Sequence, residues 1–225
     1  MNKITVGISG AIILLLLSGA VVSFSQNNQS INHPYKLFFE RRISQFSTFP
    51  VSRDSIVFLG DSLIDEGRWE EMFPNAKTVN RGVLADRTEH IIARLDQVIK
   101  GQPDMIFIMV GTNDLKSGIK RKTIISNYRN ILESIKNQSP ATKVFVQSLL
   151  PREAKFQKRI EKINNELLLL SQESGYTYID LYSAFLDNDG ALKGEYSNDG
   201  LHLLGAGYLK WREIIEPYIG GGKVM

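Results

Sequence analysis

Ile56-Val57-Phe58-Leu59-Gly60-Asp61-Ser62-Leu63 sets the architecture of the chain. The run through Leu59 has no polar face, the pattern of a strand buried on both sides within a parallel sheet. Gly60-Asp61-Ser62 follows at once, so the strand ends in a turn that delivers a serine hydroxyl to the sheet edge. The same rhythm recurs along the chain. Apolar runs at 55–59, 105–110, 143–148 and 177–181, with a weaker strand at Lys77 to Asn80, alternate with amphipathic segments. Such alternation argues for a parallel sheet covered by helices.

The helical segments carry apolar stripes at steps of three or four: Ile91, Leu95 and Val98; Ile124, Tyr128, Ile131 and Ile135; Phe156, Ile160, Ile163, Leu167 and Leu170. A last helix from about Gly205 presents Tyr208, Trp211, Ile215 and Tyr218, and this spacing reads as core. Tyr35, Phe38, Phe39, Ile43 and Phe46 predict a short helix packed on the main domain. The domain organisation expected is a signal peptide over 1–25, a linker and packing helix over 26–50, and one catalytic domain over 51–220.

At 225 residues the chain suits one domain, large enough to bury roughly 70% of the surface its unfolded form exposes. A net charge of +3 is too small to argue for a nucleic-acid partner, and the basic clusters at 116–122 and 152–162 read as solvated faces. The absence of cysteine removes a thiol nucleophile, disulfides and thiolate metal sites. Lys3 is the one charged residue of the first 25, ahead of the apolar stretch Ala11 to Leu17 and small residues with Ser23 and Ser25 in cleavage-like positions. This pattern predicts export, periplasmic or secreted, with an uncleaved membrane anchor as the alternative.

Four blocks carry the chemistry. Gly60-Asp61-Ser62-Leu63 offers a nucleophile, and Asp199 stands three residues before His202, the two side chains a serine needs to lose its proton at neutral pH. Asn80-Arg81-Gly82 and Gly111-Thr112-Asn113-Asp114 each follow a predicted strand and offer hydrogen-bond donors. In an open parallel sheet these strand ends share one edge, where such folds bind ligands. Each block also has a plainer reading: Gly82 as a turn, Asn113 as a cap, and Asp199-Gly200 as a turn before the last helix. Asp61 and Asp114 are expected to hold their loops through backbone hydrogen bonds, without a part in proton transfer. Position 64 is Ile, so the Gly-x-Ser-x-Gly elbow of ordinary α/β-hydrolases is absent.

Together, and in this order, the four blocks resemble the SGNH hydrolases, also called GDSL esterases and lipases, over about residues 50 to 218. The resemblance implies a flavodoxin-like three-layer α/β/α sandwich with a central parallel five-stranded sheet in the order 2-1-3-4-5. It implies Ser62 as nucleophile, Asp199 and His202 as the other triad members, and an oxyanion hole made of the Ser62 amide, the Gly82 amide and the Asn113 side chain. The short Phe-Leu-Gly-Asp-Ser opening is similar to the branch holding platelet-activating-factor acetylhydrolase-like proteins and carbohydrate O-acetylesterases. Members of that branch often carry small residues where this chain has Val83-Leu84-Ala85-Asp86, which predicts a narrower rim.

The expected function is hydrolysis of short acyl esters, O-acetyl above all, on a carbohydrate or other small-molecule alcohol, with no metal or organic cofactor. Lysophospholipid or thioester hydrolysis, acyl transfer to a sugar, and a non-catalytic carbohydrate-binding module are the competing readings. The membrane is a partner only if the leading segment stays attached, and the oligomeric state is left open.

Overall fold

The computed structural model describes residues 32–220; the expected signal segment and the start of the linker lie outside the described residues. Five strands, β1 (Ile56–Gly60), β2 (Thr78–Gly82), β3 (Met105–Met109), β4 (Lys143–Gln147) and β5 (Thr177–Ile179), form one sheet. All pairings are parallel and the order is β2-β1-β3-β4-β5, as expected for the resemblance. Every residue of β1 and β3 is buried, which is why both read as unbroken apolar runs. The α-helices in chain order are α1 (Lys36–Thr48), α2 (Ser62–Asp65), α3 (Trp69–Met72), α4 (Thr88–Arg94), α5 (Asp96–Ile99), α6 (Thr112–Lys116), α7 (Arg121–Gln138), α8 (Gln157–Ser174), α9 (Tyr182–Phe185) and α10 (Gly205–Ile219).

Register fixes the core. Phe58 pairs with Phe107 and Phe107 with Phe145, so three rings stand in a row on one face, their centroids 5.2 and 4.5 Å apart. Trp69 of α3 stacks on Phe58 at 3.8 Å and meets Trp211 of α10 edge-on at 5.2 Å. Successive strand residues point to opposite faces, so Val57, Leu59, Ile106, Ile108, Val144 and Val146 fill the other side, all of them buried. Helices thus cover both faces, and the fold is a three-layer α/β/α sandwich.

The stripes predicted from spacing are largely buried, with four differences, one of them Tyr218 near the end of α10, which is 37% exposed. The 91–98 segment is two helices broken at Leu95. Phe156 belongs to a short 3-10 turn, Ala154–Phe156, ahead of α8. Tyr35 precedes α1 and is 53% exposed, while Phe39 and Phe46 are the residues α1 buries, against Val83.

Candidate active site

Ser62 is the first residue of α2, immediately past the end of β1. Asp61 caps that helix by accepting the Leu63 amide at 3.1 Å. Position alone leaves the Ser62 N–H without an intrahelical acceptor. The side chain of Asn80 then ties β2 to α2: its Nδ2 donates to the carbonyls of Ile64 at 2.9 Å and Asp65 at 3.0 Å. Tyr208 of α10 donates to the Leu63 carbonyl at 2.8 Å. The serine therefore rides on a short helix held from three sides, and is itself only 3% exposed.

His202 reaches it from the loop before α10. Its Nε2 lies 3.1 Å from Ser62 Oγ, across 140 residues of chain. Its Nδ1 lies 2.7 Å from Asp199 Oδ2, while Asp199 Oδ1 accepts the backbone amides of Leu201 at 2.9 Å and His202 at 2.7 Å. One carboxylate thus shapes the loop with one oxygen and orients the ring with the other. Burial raises the Asp199 carboxyl, but the hydrogen bonds from the His202 ring and from the His202 and Leu201 amides outweigh it and hold the group below the usual carboxylate range. It is an anion at neutral pH, so His202 Nδ1 carries the proton and Nε2 is left to accept the one on Ser62 Oγ. Glu66 stands 4.0 Å from the same Nε2.

The two other expected oxyanion donors differ. Asn113, in the first turn of α6, donates through Nδ2 to the Asp86 carbonyl at 3.0 Å. A carboxamide nitrogen has two hydrogens, so one remains. The Gly82 amide is already spent, donating to Asn80 Oδ1 at 2.8 Å. This corrects the expectation of an oxyanion donor at Gly82. A Cβ there would sit 2.1 Å from the Asp65 nitrogen, so glycine is needed for α2 to lie against the end of β2. Three residues on, Ala85 has φ of 61°, a left-handed conformation unusual for a residue with a side chain. Its N–H finds no hydrogen-bond partner among the described residues. Residues held in such conformations concentrate at functional sites, but alanine gives no sequence signal for one.

Asp86 and Arg94 are further residues that spacing missed. Arg94 Nε meets Asp86 Oδ2 at 2.7 Å, and its Nη2 donates to the carbonyls of Gly60 at 3.1 Å and Arg81 at 2.8 Å. A buried arginine thereby fastens the ends of β1 and β2 to the loop that carries Ala85. In sequence it lies on a helix, where a charge reads as a solvated face. Asp114 accepts the Thr88 amide at 3.0 Å and the Thr88 hydroxyl at 2.6 Å, which anchors α6 to α4. Asp61 is fully buried, and chiefly for that reason, helped by Asp86 and Asp114 nearby, its carboxyl is pushed up to about 8.

Among the described residues one group has the makings of a metal site: His33, Asp86 and His90, all buried, with ligand atoms within 4.8 Å of one another. Its donor chemistry fits hydrogen bonding better. The Tyr35 amide donates to His33 Nδ1 and the Arg87 amide to His90 Nδ1, both at 3.1 Å. Each ring therefore keeps its proton on Nε2; His90 hydrogen-bonds the Asn32 carbonyl at 3.3 Å, whereas His33 faces Asp86 Oδ1 at 3.4 Å as a charge contact without hydrogen-bond geometry. With Arg94 already on the other carboxylate oxygen, the cluster is a latch that seats residues 32–35 on the Ala85 loop.

A model of the GDSL-like lipase/acylhydrolase family matches residues 58–210. Platelet-activating factor acetylhydrolase IB subunit alpha2 is 28% identical over 185 residues in both Homo sapiens and Rattus norvegicus, spanning 76% of this chain and 80% of the relative. A solved structure from Streptococcus pneumonia, described as a platelet activating factor, superposes with a TM-score of 0.75 at 26% identity, covering 81% of this chain and 93% of that one. An acetylxylan esterase from Geobacillus stearothermophilus, solved as a mutant, gives a TM-score of 0.63 at 17% identity over 78% of this chain and 98% of its own, a likeness of fold.

Proposed function

The chain belongs to the GDSL-like lipase/acylhydrolase family and is an ester hydrolase, and from that premise we propose that it removes short acyl groups, O-acetyl above all, from carbohydrate alcohols through an acyl-enzyme on Ser62. The observation that carries the reading is the unbroken hydrogen-bonded series from Ser62 Oγ through the His202 ring to the Asp199 carboxylate.

In the first step His202 Nε2 takes the Ser62 proton as Oγ attacks the ester carbonyl carbon. The electron pair displaced onto the carbonyl oxygen is met by the Ser62 N–H, the second Asn113 Nδ2 hydrogen and the Ala85 N–H, the last replacing the Gly82 amide. Each such donor contributes about 10²–10³ in turnover where its geometry is right. The tetrahedral adduct collapses, the C–O bond to the alcohol breaks, and the protonated His202 gives its proton to the leaving oxygen. Water then enters, loses a proton to the same Nε2 and attacks the acyl carbon, which releases the acid and restores Ser62 Oγ–H. Asp199 stays ionised throughout and stabilises the imidazolium.

The acetylhydrolase names of the relatives support a short acyl group. The carbohydrate alcohol is supported by the polar grooves that reach residues of the site, one lined by Asp65, Glu66 and Asn80 and the other by Asn113, Arg87 and Lys116 among others. The apolar leading segment supports export, hence a substrate outside the cytoplasm. A lipid alcohol is the second reading, favoured by the platelet-activating-factor relatives. The test is a panel of acetylated sugars, nitrophenyl esters of increasing chain length and a lysophospholipid, run on wild type and Ser62→Ala. A peak at the shortest acyl chain with turnover of acetylated sugars, all lost in Ser62→Ala, is expected; a peak at long chains would transfer the assignment to lipids.

A further inference from the structure

We propose that the groove beside Asn113 is a subsite for an acidic sugar residue of the substrate, an inference that rests on the esterase reading above and adds the charge of the leaving group. The groove has a volume of about 470 Å³ and is lined by Asn32, Tyr35, Ala85, Arg87, Asn113 and Lys116 among others. Asn113 and Ala85, the proposed oxyanion donors, both line it, which sets the groove on the oxyanion side of the proposed reaction centre.

Its walls have the composition that binds a charged sugar. Tyr35 is 53% exposed, a large aromatic surface that the core does not use. Aromatic faces with a few placed polar groups are the usual lining of small-molecule sites. The Tyr35 backbone is held in place from below. The Tyr35 amide donates to His33 Nδ1 at 3.1 Å, and the His33 ring is buried, stacked on Phe39 at 4.7 Å and facing Asp86 at 3.4 Å. Asn32 is fixed in turn, its carbonyl accepting from Arg87 Nη2 at 3.2 Å. The platform is thus built into the site before substrate arrives, which lowers the ordering cost of binding.

Charge selects the ligand. Among the described residues no carboxylate lines the groove, whereas two cations do. Arg87 is shared with Glu89 at the rim, but Lys116 makes no ion pair among the described residues. A second groove, about 510 Å³, is predominantly acidic, with Asp65, Glu66, Glu70 and Glu71 against the single cation Arg68 in its lining. A carboxylate-bearing sugar is drawn to the basic groove and repelled from the acidic one, which favours one orientation of its acetyl group.

The test compares kcat/KM on an O-acetylated uronic-acid oligosaccharide and on a neutral O-acetylated oligosaccharide of the same length. Wild type is expected to prefer the acidic substrate by about fivefold at low salt, the reach of one partly exposed ion pair, with the preference shrinking as salt is raised. Lys116→Ala should bring the two substrates to parity and Lys116→Arg should keep the preference. Tyr35→Ala should raise KM for both sugars by up to about tenfold, with Tyr35→Phe close to wild type. A wild-type ratio near one, or a ratio that Lys116→Ala leaves unmoved, overturns the proposal while leaving the esterase reading intact. Absence of Ser62-dependent hydrolysis of any ester overturns the esterase reading instead. A lysophospholipid cleaved faster than either sugar, and slowed by Lys116→Ala, assigns the groove to a lipid phosphate and likewise overturns the proposal.

Discussion

Ser62, His202 and Asp199 form a series in which each member depends on the next, and that interdependence makes a sharp kinetic prediction. Ser62→Ala and His202→Ala should each lose on the order of 10³-fold or more in kcat, and the double variant should be little worse than either. Steady-state rates on nitrophenyl acetate check this, and additive losses would show that the two do not act as a unit. Asp61, next to the nucleophile, makes a prediction about stability. Its folded-state carboxyl is pushed up to about 8 from an ordinary value of 3.8, mainly by burial. The folded protein therefore keeps a proton that the unfolded chain gives up. The associated stability is full below the unfolded value and is lost as pH rises from about 4 through about 8. Asn does not titrate, so Asp61→Asn should flatten the stability profile across that window and gain most on wild type at its alkaline end. Urea unfolding at pH 5, 7 and 9 measures it. The proposed site residues Ser62, Asp199, His202 and Asn113 were readable as candidates because their chemistry is carried by residue type. The Ala85 amide was not, because a backbone N–H has no letter in a sequence and becomes available or spent only through its partners.

Among the elements, the contact between α2 and the end of β2 is the most constrained. Gly82→Ala places a methyl 2.1 Å from the Asp65 nitrogen and shifts the helix that carries Ser62. The expected cost is about 1–3 kcal/mol, as for other overpacked positions, accompanied by a fall in kcat, and denaturant unfolding with paired kinetics would detect both. In the sheet, Phe107 is flanked by Phe58 and Phe145 in register. Phe107→Ala should cost about 3–5 kcal/mol, with a drop in denaturation midpoint as its readout. Strands β1 and β3 could be read from their apolar runs, as could the stripes of α7, α8 and α10, since periodicity follows from geometry within one element. The interruption at Leu95 could not be read, because Ile91, Leu95 and Val98 keep helical spacing on both sides of it.

For the molecule as a whole, the N-terminal segment is the main departure from expectation. Residues 32–35 wall the groove beside Asn113 and are latched through His33 to Asp86, the residue whose carbonyl holds that asparagine. His33→Ala should remove a buried ring stacked on Phe39 at 4.7 Å and cost about 2–5 kcal/mol, measurable as a lower unfolding midpoint with faster amide exchange in residues 83–87. A segment that looked like a linker by its polarity thus lines the groove proposed as a subsite. Local signals were enough for the parallel sheet, the succession of its elements and the chemistry available at its edge, because burial on two faces, helical spacing and turn-forming residues all act between near neighbours in the chain. Folding in three dimensions was needed to show that the Gly82 amide is occupied, that Ala85 takes a left-handed conformation, and that His33 lies under the groove. Each of these depends on partners or packing elsewhere in the fold, and contacts between distant segments leave no periodic trace for a reader of the chain to follow.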